Sequence, residues 1–111
     1  MNVVVAAWIA LATAYAPRCG DSGLTFYGLP AGPGTISAPR SLPAFTRLWV
    51  DGYGPGVVTD RGPAITEGRL DLWMRTCWQA NQWGIRRVLV ERVVWVPLVE
   101  HIEEEGADGL D

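Results

Sequence analysis

The stretch GVVTDRGPAITEGRLDLW, Gly56 to Trp73, decides how this chain folds. Two runs within and just beyond it, Gly56–Asp60 and Arg69–Met74, have the composition of β-strands, and a Gly/Pro loop separates them. Each run carries one carboxylate in apolar surroundings, Asp60 and Asp71. An ionised aspartate in an apolar strand is costly unless it is hydrogen-bonded, paired or used. Side chains alternate along a strand, so Arg69, Asp71 and Trp73 share one face and Leu70, Leu72 and Met74 the other. The second face reads as core. The first gathers an acid, a cation and an indole, a floor for a polar, ring-shaped ligand. A plainer reading stands beside it, with Asp60 capping the turn at Arg61-Gly62-Pro63 and Asp71 paired with Arg69.

A chain of 111 residues has room for one domain and one core. All nine basic residues are arginine. The net charge of −3 is unevenly spread, because six acids (Glu100, Glu103, Glu104, Glu105, Asp108, Asp111) crowd the last twelve residues. The remaining body is mildly cationic, which suits an anionic polymer but shows no basic stripe of the nucleic-acid-binding kind. The single histidine, His101, lies in the acidic tail, which argues against Ser-His-Asp, Cys-His and His-ligated zinc chemistry. No nucleophile elbow, P-loop or dinucleotide fingerprint is present, so neither a metal nor a cofactor is implied. If the chain is an enzyme, carboxylates carry it. Cys19 and Cys77 read equally well as one disulfide in an exported protein or as two buried thiols.

Working outward, the apolar run Val3–Ala16 is too short for a transmembrane helix. It fits a buried strand or a signal sequence that lacks a positive n-region. Pro17–Pro43 is rich in glycine and proline and reads as turns with short strands. Arg47–Val50 reads as a strand, Asp51-Gly52 as a tight turn, and Arg86–Val96 as a valine-rich strand. Thr76–Gly84 predicts a short helix, with Thr76 as N-cap, Gly84 as stop, and Cys77, Ala80 and Trp83 on one face. Residues 1–98 are thus expected to form one domain, and 99–111 a disordered acidic tail. Many short strands and one late helix suit a small closed barrel with no edge left exposed.

TDRGPAITEGRLDLW resembles the core motif of the three-aspartate (3D) domain, D-x-G-x-A-I followed by R-x-D. That domain occurs in the membrane-bound lytic transglycosylase A family and in small stationary-phase-survival and spore-associated cell-wall enzymes. The likeness runs from about Ala12 to Val94. ATAYAP resembles the family's opening T-A-Y, which favours a strand there. CGDSGLTFYG resembles its Gly-x-Thr segment (Gly23, Thr25, Gly28), and LPAFTRLWVDGYG its I-P-L-G-T-x-V-x-V-x-G-Y-G, with Pro43, Thr46, Gly52, Tyr53 and Gly54 matching.

The resemblance implies a mainly β fold, a six-stranded double-psi β-barrel with one short helix near the C-terminus. It further implies a lytic transglycosylase that cleaves the MurNAc-β-1,4-GlcNAc bond of peptidoglycan and leaves 1,6-anhydromuramic acid. Asp71 falls on the family's catalytic aspartate and Asp60 on a supporting one. The third aspartate is replaced by Ala38, so an inactive module that binds glycan strands is the alternative, and a structural barrel in a phage particle a third. Thr25, Arg69, Trp73, Gly62 and Ala64 are the expected substrate contacts, with Thr25 equally readable as a strand threonine. Trp73 is the ring expected to stack on sugar; Trp8, Trp49, Trp78, Trp83 and Trp95 read as core or structural. The expected partner is peptidoglycan glycan, with no nucleic acid and no stable membrane span, for a monomer in the cell envelope or outside the cell, or phage-encoded and released at lysis.

Overall fold

A computed structural model describes residues 1–21 and 23–97; the acidic tail and His101 lie outside them. The elements run β1 (Asn2–Pro17), β2 (Gly20–Asp21), β3 (Thr35–Ser37), β4 (Arg47–Val50), β5 (Gly54–Asp60), β6 (Arg69–Trp73), α1 (Cys77–Trp83) and β7 (Arg86–Trp95). Setting aside the two-residue β2, the sheet order β1-β6-β3-β5-β4-β7 returns to β1 through the β1–β7 pairing. The result is a closed six-stranded barrel with one short helix, consistent with the double-psi type. Two of its pairings are parallel, β1 with β6 and β3 with β5. The others are antiparallel.

Alternation explains which side chains fill it. Leu48 and Val50 of β4, Leu70 and Leu72 of β6, and Val88 and Val90 of β7 point inward, joined by Ala10, Ala12, Ile36 and Val58. Fully burying each Leu or Val contributes about 1.5–3 kcal/mol. The small Ala12 makes room for Trp83, whose indole Nε1–H donates to the Ala12 carbonyl at 3.1 Å. Gly56 is required by close approach: a Cβ there would lie 2.5 Å from Ile36 Cδ1 and 2.8 Å from the Gly34 carbonyl oxygen.

The helix forms as its caps dictate. The Thr76 hydroxyl accepts from the Gln79 N–H, and Gly84, at φ 64°, ends it. Cys77, the first helical residue, is disulfide-bonded to Cys19 across 58 residues, with Cα atoms 5.7 Å apart. The bridge ties the segment after β1 to the helix and resolves the open question of the two cysteines.

Two expectations need correction. Among the described residues, 2–10 of β1 pair only with β7, so that length of strand has no second strand partner there although the barrel closes below it. Trp49, Trp78 and Trp95 are exposed, because each falls on the outward phase of its strand or helix; of the remaining indoles Trp83 and Trp73 are buried and Trp8 packs against the core.

Candidate functional site

Sheet register assembles the site. On β6, Asp71 stands beside Thr13 of parallel β1 and opposite Ser37 of antiparallel β3. Ser37 in turn pairs with Asp60 on β5, across a local register shift. Four polar residues from four strands therefore form a row, Thr13–Asp71–Ser37–Asp60, while the neighbouring Ile36–Leu72 pair is buried in the core.

The two carboxylates live in different surroundings. Asp60 accepts three hydrogen bonds: Tyr15 Oη donates to Oδ2 at 2.7 Å, and the N–H groups of Phe26 and Arg61 donate to Oδ1 at 2.8 and 2.9 Å. It does cap the turn at Arg61, and it also anchors the loop at Phe26. Asp71 accepts from Thr13 Oγ1 at 2.9 Å. Burial pushes the Asp71 carboxyl above its ordinary value, with the charge of Asp60 adding to the rise; the hydrogen bonds from Thr13 and the Leu72 N–H and the charge of Arg69 oppose it. Desolvation wins.

Two buried polar atoms flank Asp71 and, among the described residues, have no hydrogen-bond partner: Ser37 Oγ and Arg69 Nε. Such an orphan costs about 1–3 kcal/mol, and one expects a reason for it. Arg69 acts on Asp71 through its charge rather than through a hydrogen bond.

The remaining expected residues are spread around this row. Thr25 is buried, and its hydroxyl accepts from the N–H groups of Tyr27 and Leu29, both at 3.2 Å, so it shapes the loop that presents Phe26 to Asp60. Gly62 sits beside Ser37; a Cβ on it would lie 3.8 Å from Ser37 Oγ. Ala64 is exposed on the same loop. Trp73 lies on the Asp71 face but is 8 % exposed. Ala38 is buried at the wall of a cleft of about 560 Å³ shared with Phe26, Arg61 and Gly62. A smaller cleft, about 310 Å³, opens between Tyr15, Thr25, Phe26 and Asp60.

Sequence reading of single runs left out Thr13, Tyr15, Ser37 and Arg61. Thr13 and Tyr15 belong to the T-A-Y motif and stand two apart, on one strand face, which was the available signal. Their partners lie 58 and 45 residues away: the parallel β1–β6 pairing supplies Asp71 to Thr13, and the further pairing of β6 with β3 and of β3 with β5 brings Asp60 to Tyr15. Arg61 left no signal. Its guanidinium donates to the carbonyls of Ala38, Pro39 and Leu42 at 2.6–2.9 Å, clamping the turn after β3 to the turn after β5.

A closed barrel with a carboxylate row of this kind defines a class, and the family model described as the 3D domain matches residues 37–95, over half the chain. The chain belongs to the 3D-domain family. Among curated proteins it is similar to the cell wall-binding protein YocH of Bacillus subtilis (strain 168), 30% identical over 86 residues, covering 72% of this chain and 30% of YocH. Among solved structures it resembles MltA from E. coli, with a TM-score of 0.54 and 18% identity over 69% of this chain and 29% of that one. A variant of the same E. coli lytic transglycosylase, in an apo form, gives a TM-score of 0.54 and 19% identity over 67% and 28% of the two chains. At such identities the likeness is one of fold. The chain spans under a third of the length of these relatives.

Proposed function

We propose that this domain is a peptidoglycan lytic transglycosylase of the cell envelope or its exterior, working as a monomer, with Asp71 as its single general acid and base. One observation carries the reading. The Asp71 carboxyl is held in a polar row on an otherwise apolar wall, where burial and the neighbouring Asp60 favour its protonated form. A protonated carboxyl donates to the glycosidic oxygen as the C1–O bond of the muramyl residue breaks. The resulting carboxylate then accepts the proton of that residue's C6 hydroxyl as its oxygen closes onto C1, giving the 1,6-anhydro sugar. No water nucleophile has to be held, so the wider carboxylate spacing of an inverting hydrolase is not needed.

In this reading Asp60 supports Asp71 by its charge and organises the loop at Phe26. Arg69, with its unpartnered Nε, contacts substrate, as do Thr25, Trp73, Gly62 and Ala64. The membership of the 3D family and the barrel shared with MltA support it.

A second reading, a glycan-binding module without chemistry, is favoured by two observations. Ala38 occupies the position of the family's third aspartate, and the similar YocH is named a cell wall-binding protein. The experiment that separates the readings is mass spectrometry of purified sacculi digested with the wild-type protein and with Asp71→Asn. Anhydromuropeptides from the wild type alone support the transglycosylase. Reducing-end products would overturn the mechanism, and retained sacculus pull-down with no release by either protein would leave the binding module.

A further inference from the structure

Phe45 is 61% exposed, and its backbone sits at φ 70°. That region disfavours any residue with a Cβ and is the natural place for glycine. The motif this segment resembles, I-P-L-G-T, has glycine at the position Phe45 occupies. The conformation is imposed by the fold, since the Phe45 N–H donates to the Val58 carbonyl at 2.7 Å. Here the chain accepts backbone strain at a residue whose large apolar ring stands mostly in solvent. Strain of this sort, kept in place by its surroundings, points to use.

The ring has company. Phe45 and Tyr27 are tilted rings with centroids 6.4 Å apart, and Tyr27 and Phe26 meet edge to face at 5.1 Å. Phe26 is 57% exposed. The Arg40 guanidinium lies 5.4 Å from the Phe26 ring centre, and that of Arg61 5.8 Å from Tyr27. Arg61 is committed, its Nε–H to Tyr27 Oη and its other donors to backbone carbonyls. Arg40 is exposed. Phe26 also joins this ridge to the carboxylate row, for its N–H holds Asp60 Oδ1 and its side chain borders both clefts.

We propose that the ridge Phe26–Tyr27–Phe45, with Arg40 at its flank, is a subsite for a glycan strand bearing carboxylate substituents. The apolar faces of its pyranose rings stack on Phe45 and Phe26, and a carboxylate meets Arg40. The inference rests on the glycan reading above and gives it a second contact region beyond Asp60. The ridge is continuous with the proposed reaction site, and the cation beside it selects an acidic glycan over a neutral one.

Phe45→Gly is the decisive variant, because it relieves the backbone and removes the ring together. The expected result is a higher Tm with binding to purified sacculi and to a chitin tetramer weakened about fivefold to tenfold. Arg40→Gln is expected to weaken binding to sacculi and leave the neutral tetramer unchanged. Unchanged affinity of Phe45→Gly for both probes overturns the proposal, as does a wild type that binds neither. So does a dimer that becomes monomeric on Phe45→Gly with glycan affinity intact, which would make the ridge a self-association face. The two readings fail separately. Anhydromuropeptide release by the wild type with the same KM for Phe45→Gly sinks the subsite alone. Weakened binding by Phe45→Gly without any release by the wild type sinks the chemistry alone.

Discussion

Asp71 and Asp60 sit two strands apart, one in the barrel wall and one at the rim, and the contrast between them is instructive. The wall around Asp71 is regular sheet: β1, β6 and β3 in register, leucines behind, the Thr13 hydroxyl and the Leu72 N–H as its donors. The rim around Asp60 is loop, held by Tyr15, the Phe26 N–H, the Arg61 clamp and the Cys19–Cys77 bridge. The rim carboxylate spends its oxygens on a tyrosine hydroxyl and two loop N–H groups, while the partly buried one in the wall is pushed by desolvation towards its protonated form. The same residue type thus meets two environments by address alone.

The contrast can be broken most forcefully at Asp71. Asp71→Asn is expected to cost about 10²–10⁴-fold in anhydromuropeptide release, the range for losing a general acid and base. Its effect on stability has the opposite sign. Because the folded-state pKa of Asp71 is raised, the native state binds the extra proton, and stability falls as pH climbs from the ordinary aspartate value through the raised one. Asp71→Asn is therefore expected to raise Tm at neutral pH, with the gain vanishing at pH below the ordinary value. A scan of Tm against pH checks both halves.

The rim can be loosened without touching the wall. Replacing Cys19 and Cys77 by serine opens a loop of 58 residues and is expected to cost about 4 kcal/mol of stability, read by denaturant unfolding. Faster hydrogen exchange at Phe26 than at Leu70 and Leu72 would show that the loss falls on the rim. A smaller step is Tyr15→Phe, which removes one of the three donors to Asp60. It is expected to cost about 1–3 kcal/mol and to reduce activity far less than Asp71→Asn.

The mildest test lies between the two. Ser37 Oγ is buried and has no partner among the described residues, so Ser37→Ala is expected to leave stability unchanged or raise it by up to about 1 kcal/mol. A fall in sacculus turnover in that more stable variant would assign the hydroxyl to the ligand. Unchanged turnover would reduce it to a tolerated defect.

Much of the fold was legible because its signals are local. The alternation of Leu70 and Leu72 with Asp71, the Asp51-Gly52 turn, the Thr76 cap and the Gly84 stop each depend on neighbours within a few residues. The exposure of Trp49, Trp78 and Trp95 was misread for a related reason. Indole content says what a residue can bury, while strand or helix phase decides whether it does.

By itself the sequence determined the strand faces, the helix limits and the motif that marks the family, and it singled out the two aspartates as candidates. It left the cysteines as an even choice and could not say which residues face Asp60 and Asp71. The tertiary structure decided those. Parallel pairing of β1 with β6 and of β3 with β5 joins residues far apart in sequence, and no local pattern encodes that register. Together with the antiparallel pairing of β3 with β6, it placed Thr13 on Asp71, Tyr15 on Asp60 and Ser37 between them. The tertiary structure also gave Phe45 a backbone meant for glycine, because the Val58 carbonyl that fixes this turn residue comes from β5.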